Sequence, residues 1–407
     1  MYRVRRNSIR EAKHKRQQST KQRGEERNMK LHLKLYLKLC HMEFYKLWHR
    51  KAFMIGSIFT ILTMLFYFQV VLTGGEISTV NGVKYYGKEA VKVNRRITES
   101  YRGELTDQKA EQIIAEYGFP SVVEYDYPGW RDANYLNGFV TKYLSDGSYS
   151  SWDDYTVPTR LYAIKDTVAG EVEKALGGRV PFAYTRGWEA FLDVLQTGMV
   201  LASILLIMAV SIVFAEESQT KMLPLAFTTQ EGKGKVVWAK ITAGFILTIV
   251  VYGAVVLSAI VPSAIVFGLD GGNCPLSMAL DKNLRTGHVF KMDWMPVQTF
   301  AGIVLGAGLL AMLLLSALTM CVSAHCKSNF GAVAAAAAVW GMPLLIQITC
   351  GGLGYFLTSC MPMLLVMTDL VYELILWERV GLVVAVDLPL LIFCVEESCR
   401  IYKGSRE

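Results

Sequence analysis

Two long apolar stretches joined by a short polar loop constrain this chain more than any other feature. Residues 199–250 read MVLASILLIMAVSIVFAEESQTKMLPLAFTTQEGKGKVVWAKITAGFILTIV. A run of about 20 apolar residues is long enough to cross the ~30 Å hydrocarbon core of a bilayer. Because lipid offers the backbone no hydrogen-bond partners, such a run must be helical. The stretch therefore predicts two transmembrane helices with a short loop between them.

The composition extends this interpretation to the whole chain. Hydrophobic residues make up 52% of the 407 residues, and charged residues only 19%. Soluble domains carry roughly 25% charged residues. We therefore expect a mainly α, polytopic integral membrane protein.

The apolar blocks predict six transmembrane helices. A seventh candidate, within residues 351–379, is interrupted by Pro362 and carries Asp369 and Glu373 one turn apart. With six spans the basic tail 400–407 lies on the cytoplasmic side, as the positive-inside rule favours. We therefore interpret 351–379 as an exterior re-entrant segment of short helices. The six predicted spans are 52–73, 193–215, 236–267, 298–323, 331–350 and 380–399.

The N-terminal segment is strongly basic. The formal net charge is +7, and the Lys/Arg excess is concentrated in residues 1–51. Basic residues before a first span predict a cytoplasmic N-terminus. Nucleic-acid binding is the alternative, but the anionic inner leaflet is a sufficient cause, so we expect no nucleic-acid partner. Residues 1–28 predict a disordered tail, and the true start is either Met1 or Met29.

Residues 29–51 alternate leucines with polar residues, a pattern that suits a strand. A lone strand beside a membrane span has no sheet to join. We therefore favour an amphipathic elbow helix in the membrane interface, with its lysines reaching toward water. Its inward residues would be Leu35, Leu39, Met42 and Leu47. A plain continuation of the first span is the remaining reading.

Residues 74–192 are mixed in character and long enough to fold as a small α/β or α+β exterior domain. Asn81–Gly82 is a strong hairpin signal. Thr106 and Gly118 predict the start and stop of a helix. No cysteine lies in residues 74–190, which argues against a disulfide-stapled domain. Residues 268–297 predict an exterior loop, and 324–330 a cytoplasmic turn.

The loop 216–235 is longer than a connection between two spans requires. Glu216 and Glu217 are acids suited to a helix N-terminus. Apolar residues follow them, and these would be exposed unless a partner covers them. The pattern predicts a stiff element that docks on a soluble partner; the alternative is a solvated turn. The predicted interface residues are Glu216, Glu217, Thr220, Lys221, Leu223, Leu225, Thr228 and Thr229.

Asp387, two residues before Pro389, is the most conspicuous charged residue inside a predicted span. A carboxylate in hydrocarbon costs about 2.5–3.5 kcal/mol or more, which makes it a functional candidate. The prediction places it on a substrate path or a dimer seam, together with Gln196 and Gln347. The alternative is a shifted span that puts Asp387 near the outer interface.

No catalytic constellation is present in the sequence. It lacks the G-x-x-x-x-G-K-[ST] loop, the H-E-x-x-H motif and the G-x-S-x-G elbow. Cys321, His325 and Cys326 are close in sequence, but four ligands at zinc spacing are absent. We therefore predict no enzyme activity, no metal and no cofactor on this chain.

Residues 29–407 resemble the permeases of the type-two ABC exporter superfamily, whose ATPase is a separate chain. The resemblance rests on the elbow LKLCHMEFYKLWHRK, one span, a large outer segment and five further spans. Its most specific part is SIVFAEESQTKMLPLAFTTQEGKGKVVWAKI. The matching positions are Glu217, Thr220, Lys221, Leu223, Thr228, Thr229, Lys233 and Lys240. Pro224 and the turn at 231–234 depart from the pattern.

The resemblance implies a permease that couples ATP hydrolysis to export across the plasma membrane, with both termini cytoplasmic. Its partners would be ABC ATPase subunits, a second permease copy or paralogue, and the lipid bilayer. The partner ATPase would bind ATP and Mg²⁺. Two alternatives remain open. One is a membrane sensor with a ligand-binding exterior domain, and the other is an intramembrane enzyme.

Overall fold

The computed structural model describes residues 33–120, 132–146, 159–220, 234–280, 294–358, 361–368, 371 and 380–404. The protein is mainly helical, as predicted. Five helices in the described part are long and apolar enough to cross a membrane. The prediction of a mainly helical chain with several apolar helices of membrane-spanning length is confirmed.

These helices follow the apolar runs. Helix α2 (Lys51–Phe66) continues as a π-helical segment, Tyr67–Thr73. Helices α7 (Arg186–Val210) and α8 (Ile212–Gln219) form one long rod with a break at Ser211. The others are α9 (Lys235–Val266), α11 (Val297–His325) and α12 (Asn329–Thr358).

The sixth predicted span coincides with a helix, α13 (Val380–Gly404). This helix is not among the five that meet the length and hydropathy requirement. Its apolar stretch contains Asp387 and ends at Glu396 and Glu397. The sixth span and the re-entrant segment stay predictions. In that segment the structure shows a non-helical backbone at Gly351 and a short 3₁₀ helix, Leu364–Val366.

The rod α7–α8 is the centre of the bundle. It is 78% buried over its apolar window, against 17% for α2 and 11% for α12. Helices α7 and α11 run parallel. Ser203 Oγ contacts Met312 Sδ at 3.8 Å, and Ser323 Oγ accepts a hydrogen bond from the Phe214 backbone N–H at 3.1 Å. The two contacts join residues at the same sequence separation, which means that the two helices lie side by side along this length.

A small domain precedes α7 at one end of the bundle, which we call the domain end. The opposite end, where α8 ends and α9 begins, is the loop end. Strands β1 (Ile77–Val80) and β2 (Val83–Tyr86) form an antiparallel hairpin. Strands β3 (Gly103–Glu104) and β4 (Pro181–Phe182) form a second antiparallel pair. The domain helices are α3 (Gly87–Glu99), α4 (Asp107–Tyr117), α5 (Tyr135–Leu144) and α6 (Val168–Leu176), with a 3₁₀ turn at Ile164–Asp166.

Local signals in the domain act as predicted. Asn81 and Gly82 both have positive φ, 54° and 75°, which is the geometry of a two-residue hairpin turn. Asp132 accepts hydrogen bonds from both of their backbone N–H groups. Thr106 caps α4 by accepting from the Lys109 N–H at 3.2 Å, and Gly118 ends the helix at φ 71°.

The connection between α9 and α11 completes the domain core. Its short helix α10 (Leu276–Ala279) inserts Met278 among the buried domain residues. The Tyr143 hydroxyl donates to the Ser277 carbonyl at 3.2 Å, and the Thr185 hydroxyl donates to the Ala279 carbonyl at 3.1 Å. The domain is therefore built from two distant parts of the chain.

Charges and close backbone packing fasten the domain to the bundle. Arg186, at the start of α7, donates to Glu76 at 2.7 Å and also pairs with Glu189. This polar first turn explains why α7 begins seven residues before the predicted span. A Cβ on Gly187 would lie only 1.6 Å from the Gly268 carbonyl oxygen, so only glycine permits this approach.

Residues 33–48 form a helix, α1, in agreement with the elbow prediction over the strand alternative. The predicted inward face is wrong, because the buried side of α1 is rotated about the helix axis from the predicted side. Leu35 and Met42 are exposed, and Leu39 is only half-buried; of the predicted set, only Leu47 is buried. The packed face is Tyr36, Cys40, Glu43 and Leu47. The reason is that a hydrogen bond of Tyr36 and an ion pair of Glu43, both to α9, set the rotation of α1 about its axis.

Candidate functional site at the loop end

The candidate site lies where α8 ends and α9 begins. Residues 221–233, between the two helices, lie outside the described residues. The predicted interface residues Lys221, Leu223, Leu225, Thr228 and Thr229 therefore cannot be placed. Glu216, Glu217 and Thr220 belong to the end of α8 and can be placed.

A buried lysine joins three helices at this end. Lys240, on the second turn of α9, is 3% exposed. Its ammonium group lies 2.8 Å from Glu217 of α8 and 3.1 Å from Glu43 of α1. It also donates to the Val213 backbone carbonyl at 3.3 Å. We call Lys240, Glu43 and Glu217 the lysine cluster.

Helical spacing explains how these groups meet. Val213 and Glu217 are one turn apart on α8, so one side chain from α9 can reach both. Glu43 shares the packed face of α1 with Tyr36, whose hydroxyl lies 2.6 Å from that of Thr242 on α9. The tyrosine contact and the ion pair thus hold α1 against α9 and fix the rotation of α1 about its own axis.

The lysine cluster has one positive and two negative charges, and Lys46 supplies a second cation to Glu43 at 2.7 Å. One ammonium group faces two carboxylates, which are 15% and 20% exposed. Burial tends to raise the pKa of Glu43, but the positive charges of Lys240 and Lys46 together lower it below the usual value. Glu43 is therefore held ionised, as the pairing requires.

Further bonds connect the surrounding elements. The Tyr402 hydroxyl, near the end of α13, donates to the second carboxylate oxygen of Glu217 at 2.8 Å. Arg50, just before α2, pairs with Glu216. The Gln219 side chain accepts from the backbone N–H of Asn329, at the start of α12, at 3.0 Å. The end of α8 thus contacts α1, α9, α13 and the starts of α2 and α12.

Thr220 has a local role in the structure. Its hydroxyl donates to the Glu216 carbonyl at 2.7 Å, and its backbone N–H donates to the same oxygen. Both bonds go to one carbonyl group near the end of α8, where helical donors become scarce. Thr220 is exposed, and residues 221–233 follow it.

The three residues predicted for a path or seam lie on three different helices. Gln196, on α7 toward the domain end, accepts from the Thr368 backbone N–H and hydroxyl at 2.7 and 2.6 Å. Asp387 is buried on α13 and has no hydrogen-bond partner among the described residues. Gln347 is half-buried on α12. Within the described part of the chain no hydrogen bond joins any two of them, and their role stays a prediction.

Three functional candidates escaped the sequence analysis: Glu43, Arg50 and Tyr402. Glu43 could have been recognised as a candidate, because it is the only acid in residues 29–51. An isolated acid on a basic helix beside a membrane needs a cation partner. Arg50 is one of several basic residues there, and Tyr402 is one of 20 tyrosines, so neither stands out locally.

Metal ligands do not assemble in the described part of the chain. No group of three or more His, Cys, Asp or Glu side chains is placed to hold an ion there. The His325 ring contacts the Cys321 carbonyl of its own helix at 2.9 Å. The described cysteines are all free thiols.

Comparison with known proteins identifies no relative. No family model matches the chain, and neither a curated protein nor a solved structure is detectably similar to it.

Proposed function

We propose that this chain is the membrane-spanning permease subunit of an ATP-driven ABC exporter. The loop 216–235 would receive the movement of a separate ATPase and pass it to the helices. In this proposal the loop end is cytoplasmic and the domain end is exterior. Six helices span the plasma membrane, a second permease completes the pathway, and the partner ATPase binds ATP and Mg²⁺.

The lysine cluster is the observation that carries the proposal. A partner that pushes on residues 221–233 can move the bundle only if the two ends of the loop transmit force. Glu217 terminates one end, Lys240 lies just beyond the other, and an ion pair of 2.8 Å joins them. The loop is therefore anchored on a stiff base and is not suspended between two independent helices.

The same cluster distributes movement to other helices. Glu43 connects the base of the loop to α1, and Tyr402 connects it to α13. The Arg50–Glu216 pair adds the start of α2. A displacement of the loop would consequently be shared by the helices that surround α7. Such an arrangement suits a transport subunit that is moved by a separate protein, since the chain carries no nucleotide-binding motif of its own.

Co-purification with the ATPase tests the proposal. The tagged full-length chain, extracted from its own membranes in mild detergent, is expected to bring with it an ATPase that contains a P-loop. The Leu223→Asp variant is expected to lose most of that ATPase and its ATP hydrolysis, because a charge would enter an apolar docking surface. The matched control is Leu176→Asp, which changes an exposed leucine in the domain.

Two results would contradict the proposal. The first is purification of the intact chain without any ATPase under conditions that preserve its fold. The second is equal retention of the ATPase by wild type and Leu223→Asp, which would remove the loop from the interface.

A further inference from the structure

Asp387 is a buried acid that no described residue pairs with. It is 0% exposed, and neither carboxylate oxygen has a hydrogen-bond partner among the described residues. The other strongly buried acids behave differently. Glu189 pairs with Arg186, and Asp132 accepts from two backbone N–H groups. Within the described residues, Asp387 is therefore the exception that needs a physical explanation.

The side chain of Asp387 faces the bundle. Buried residues on α13 recur at helical spacing, whereas the adjacent Val386 and Leu388 are exposed. The buried residues are Val383, Asp387, Cys394, Ser398, Cys399 and Tyr402. Helix α13 packs mainly against α11. Asp387 is therefore directed toward the helix pair.

In the part of the chain that the structure describes, the helices packed against α13 provide no cation near Asp387. Helix α11 carries no Asp, Glu, Lys or Arg, and its titratable groups are Cys321 and His325, at the loop end. The charges of α9 are Lys235 and Lys240, also at the loop end, and its Tyr252 hydroxyl donates to the Leu305 carbonyl.

The remaining charged groups are equally distant along their helices. On α13 itself they are Glu396, Glu397, Arg400 and Lys403, at least two turns away toward the loop end. On α7 and α8 they are Arg186, Glu189 and Asp193 at the domain end, and Glu216 and Glu217 at the loop end. No described group on these helices is placed to neutralise Asp387 as an ion.

The local backbone offers no donor either. Pro389 has no N–H, so the Ala385 carbonyl lacks its usual helical donor one turn earlier. An ionised, unpaired carboxylate in an apolar interior is so unfavourable that such groups neutralise instead. A buried carboxyl group that has neither a donor nor a cation among the described residues is complementary to a proton.

We propose that Asp387 is a proton-binding site: its carboxyl group carries a proton while α13 lies against α11, and releases it when a movement of α13 uncovers the side chain. Each opening therefore releases one proton per chain, and each closure takes one up. The inference does not depend on ATPase docking, because the site lies on α11 and α13 and not in the loop 216–235.

Labelling with dicyclohexylcarbodiimide tests the proposal on the full-length protein in phosphatidylcholine vesicles. The reagent takes the proton of a neutral carboxyl group on one nitrogen, while the carboxylate oxygen bonds to its central carbon. The adduct then rearranges to an N-acylurea without loss of atoms. At pH 7.5 only about one in 4,000 exposed aspartates is protonated, since their pKa is about 3.9. An adduct at Asp387 at this pH, located by mass spectrometry, is the expected result.

Two controls make the result specific. A water-soluble carbodiimide with an added amine is expected to modify the exposed Glu111 but not Asp387. The Asp387→Asn variant is expected to lose the dicyclohexylcarbodiimide adduct and to keep the elution profile of the wild type. Absence of the adduct in wild type, or modification of Asp387 by the water-soluble reagent at the rate of Glu111, would overturn the proposal.

Infrared spectroscopy supplies a readout that does not depend on reagent access. The difference spectrum between wild type and Asp387→Asn at pH 7.5 is expected to contain the C=O band of a protonated carboxylic acid. A carboxylate band in its place would show an ionised Asp387 and would equally overturn the proposal.

Discussion

At the scale of single residues, one ammonium group organises the loop end. Lys240 is nearly fully buried and lies between two carboxylates from different helices. A buried ion pair adds little net stability, but removal of one partner leaves an uncompensated buried charge. The lysine cluster therefore acts mainly to specify which helix faces which.

The pairing of Glu43 predicts a pH dependence. Its folded pKa is lowered, so its contribution is fully present above the ordinary carboxyl pKa of about 4.3 and is lost as the pH falls through the lower, folded value. Glu43→Gln is expected to cost about 1–2 kcal/mol at pH 7. The difference in melting temperature between wild type and Glu43→Gln should shrink below about pH 4.

Thermal unfolding in detergent at several pH values measures this difference. Glu111→Gln, at an exposed position of α4, serves as control and should melt like the wild type throughout. A Glu43→Gln effect of equal size at pH 7 and at acid pH would mean that the ion pair is not its source.

The residue contacts of the loop end could not be predicted from the sequence alone. Glu217 and Lys240 were found as positions of a motif, but Glu43 and Tyr402 were not, because their partners are far away in the chain. Glu43 and Lys240 are separated by 197 positions, and Tyr402 and Glu217 by 185. No local periodicity encodes a contact of that kind.

At the scale of elements, the apolar runs and capping residues were sufficient to predict most helices. Thr106 and Gly118 bound α4, and Asn81–Gly82 forms the hairpin turn, since each depends on local backbone chemistry. The rotation of α1 depends instead on tertiary bonds. Leucine periodicity suggested one face, but Tyr36 and Glu43 turn another toward α9.

The packing of α13 against α11 predicts a cross-link. In a variant that keeps only Cys321 and Cys394, oxidation by copper phenanthroline and oxygen should join the two thiols, because Cys394 lies on the buried face of α13, which packs mainly against the helix that carries Cys321. Trypsin cleaves after Lys327 and Arg379, between the two cysteines, so the disulfide appears as a linked peptide pair in mass spectrometry.

A second cysteine pair provides the comparison. Cys274 lies at the domain end and Cys394 on α13, so a variant that keeps only these two should remain reduced under the same conditions. Equal cross-linking of both pairs would indicate that the helices are not held in the arrangement described.

At the scale of the whole molecule, the small domain and the bundle form a fastened unit. Arg186 bridges Glu76 and Glu189, and Arg95 pairs with Asp270 at 3.1 Å. Each contact connects the domain or its entrance to α7 or to the loop after α9. We infer that movements of α7 are transmitted to the domain directly.

Loss of the Arg186 bridge should loosen this junction. Arg186→Gln leaves two acids near each other without a cation, which should cost about 2 kcal/mol, since the arginine is partly exposed. Hydrogen–deuterium exchange in residues 77–99 is expected to rise, while exchange in α9 and α11 stays as in wild type. Arg160→Gln, which removes a 70% exposed arginine of the same domain, is the matched control.

An unchanged exchange pattern in Arg186→Gln would show that backbone packing at Gly187 and Gly268 holds the junction without the charges. A rise of the same size in Arg160→Gln would mean that the domain responds to any loss of charge.

The insertion of Met278 into the domain core has a consequence for biogenesis. Met278 is translated roughly a hundred residues after β4, which at 5–20 residues per second is a delay of roughly 5–20 s. During that interval α7 and α9 must enter the bilayer while the domain waits with a gap in its interior. The domain core can therefore close only after the first three apolar helices have been synthesised.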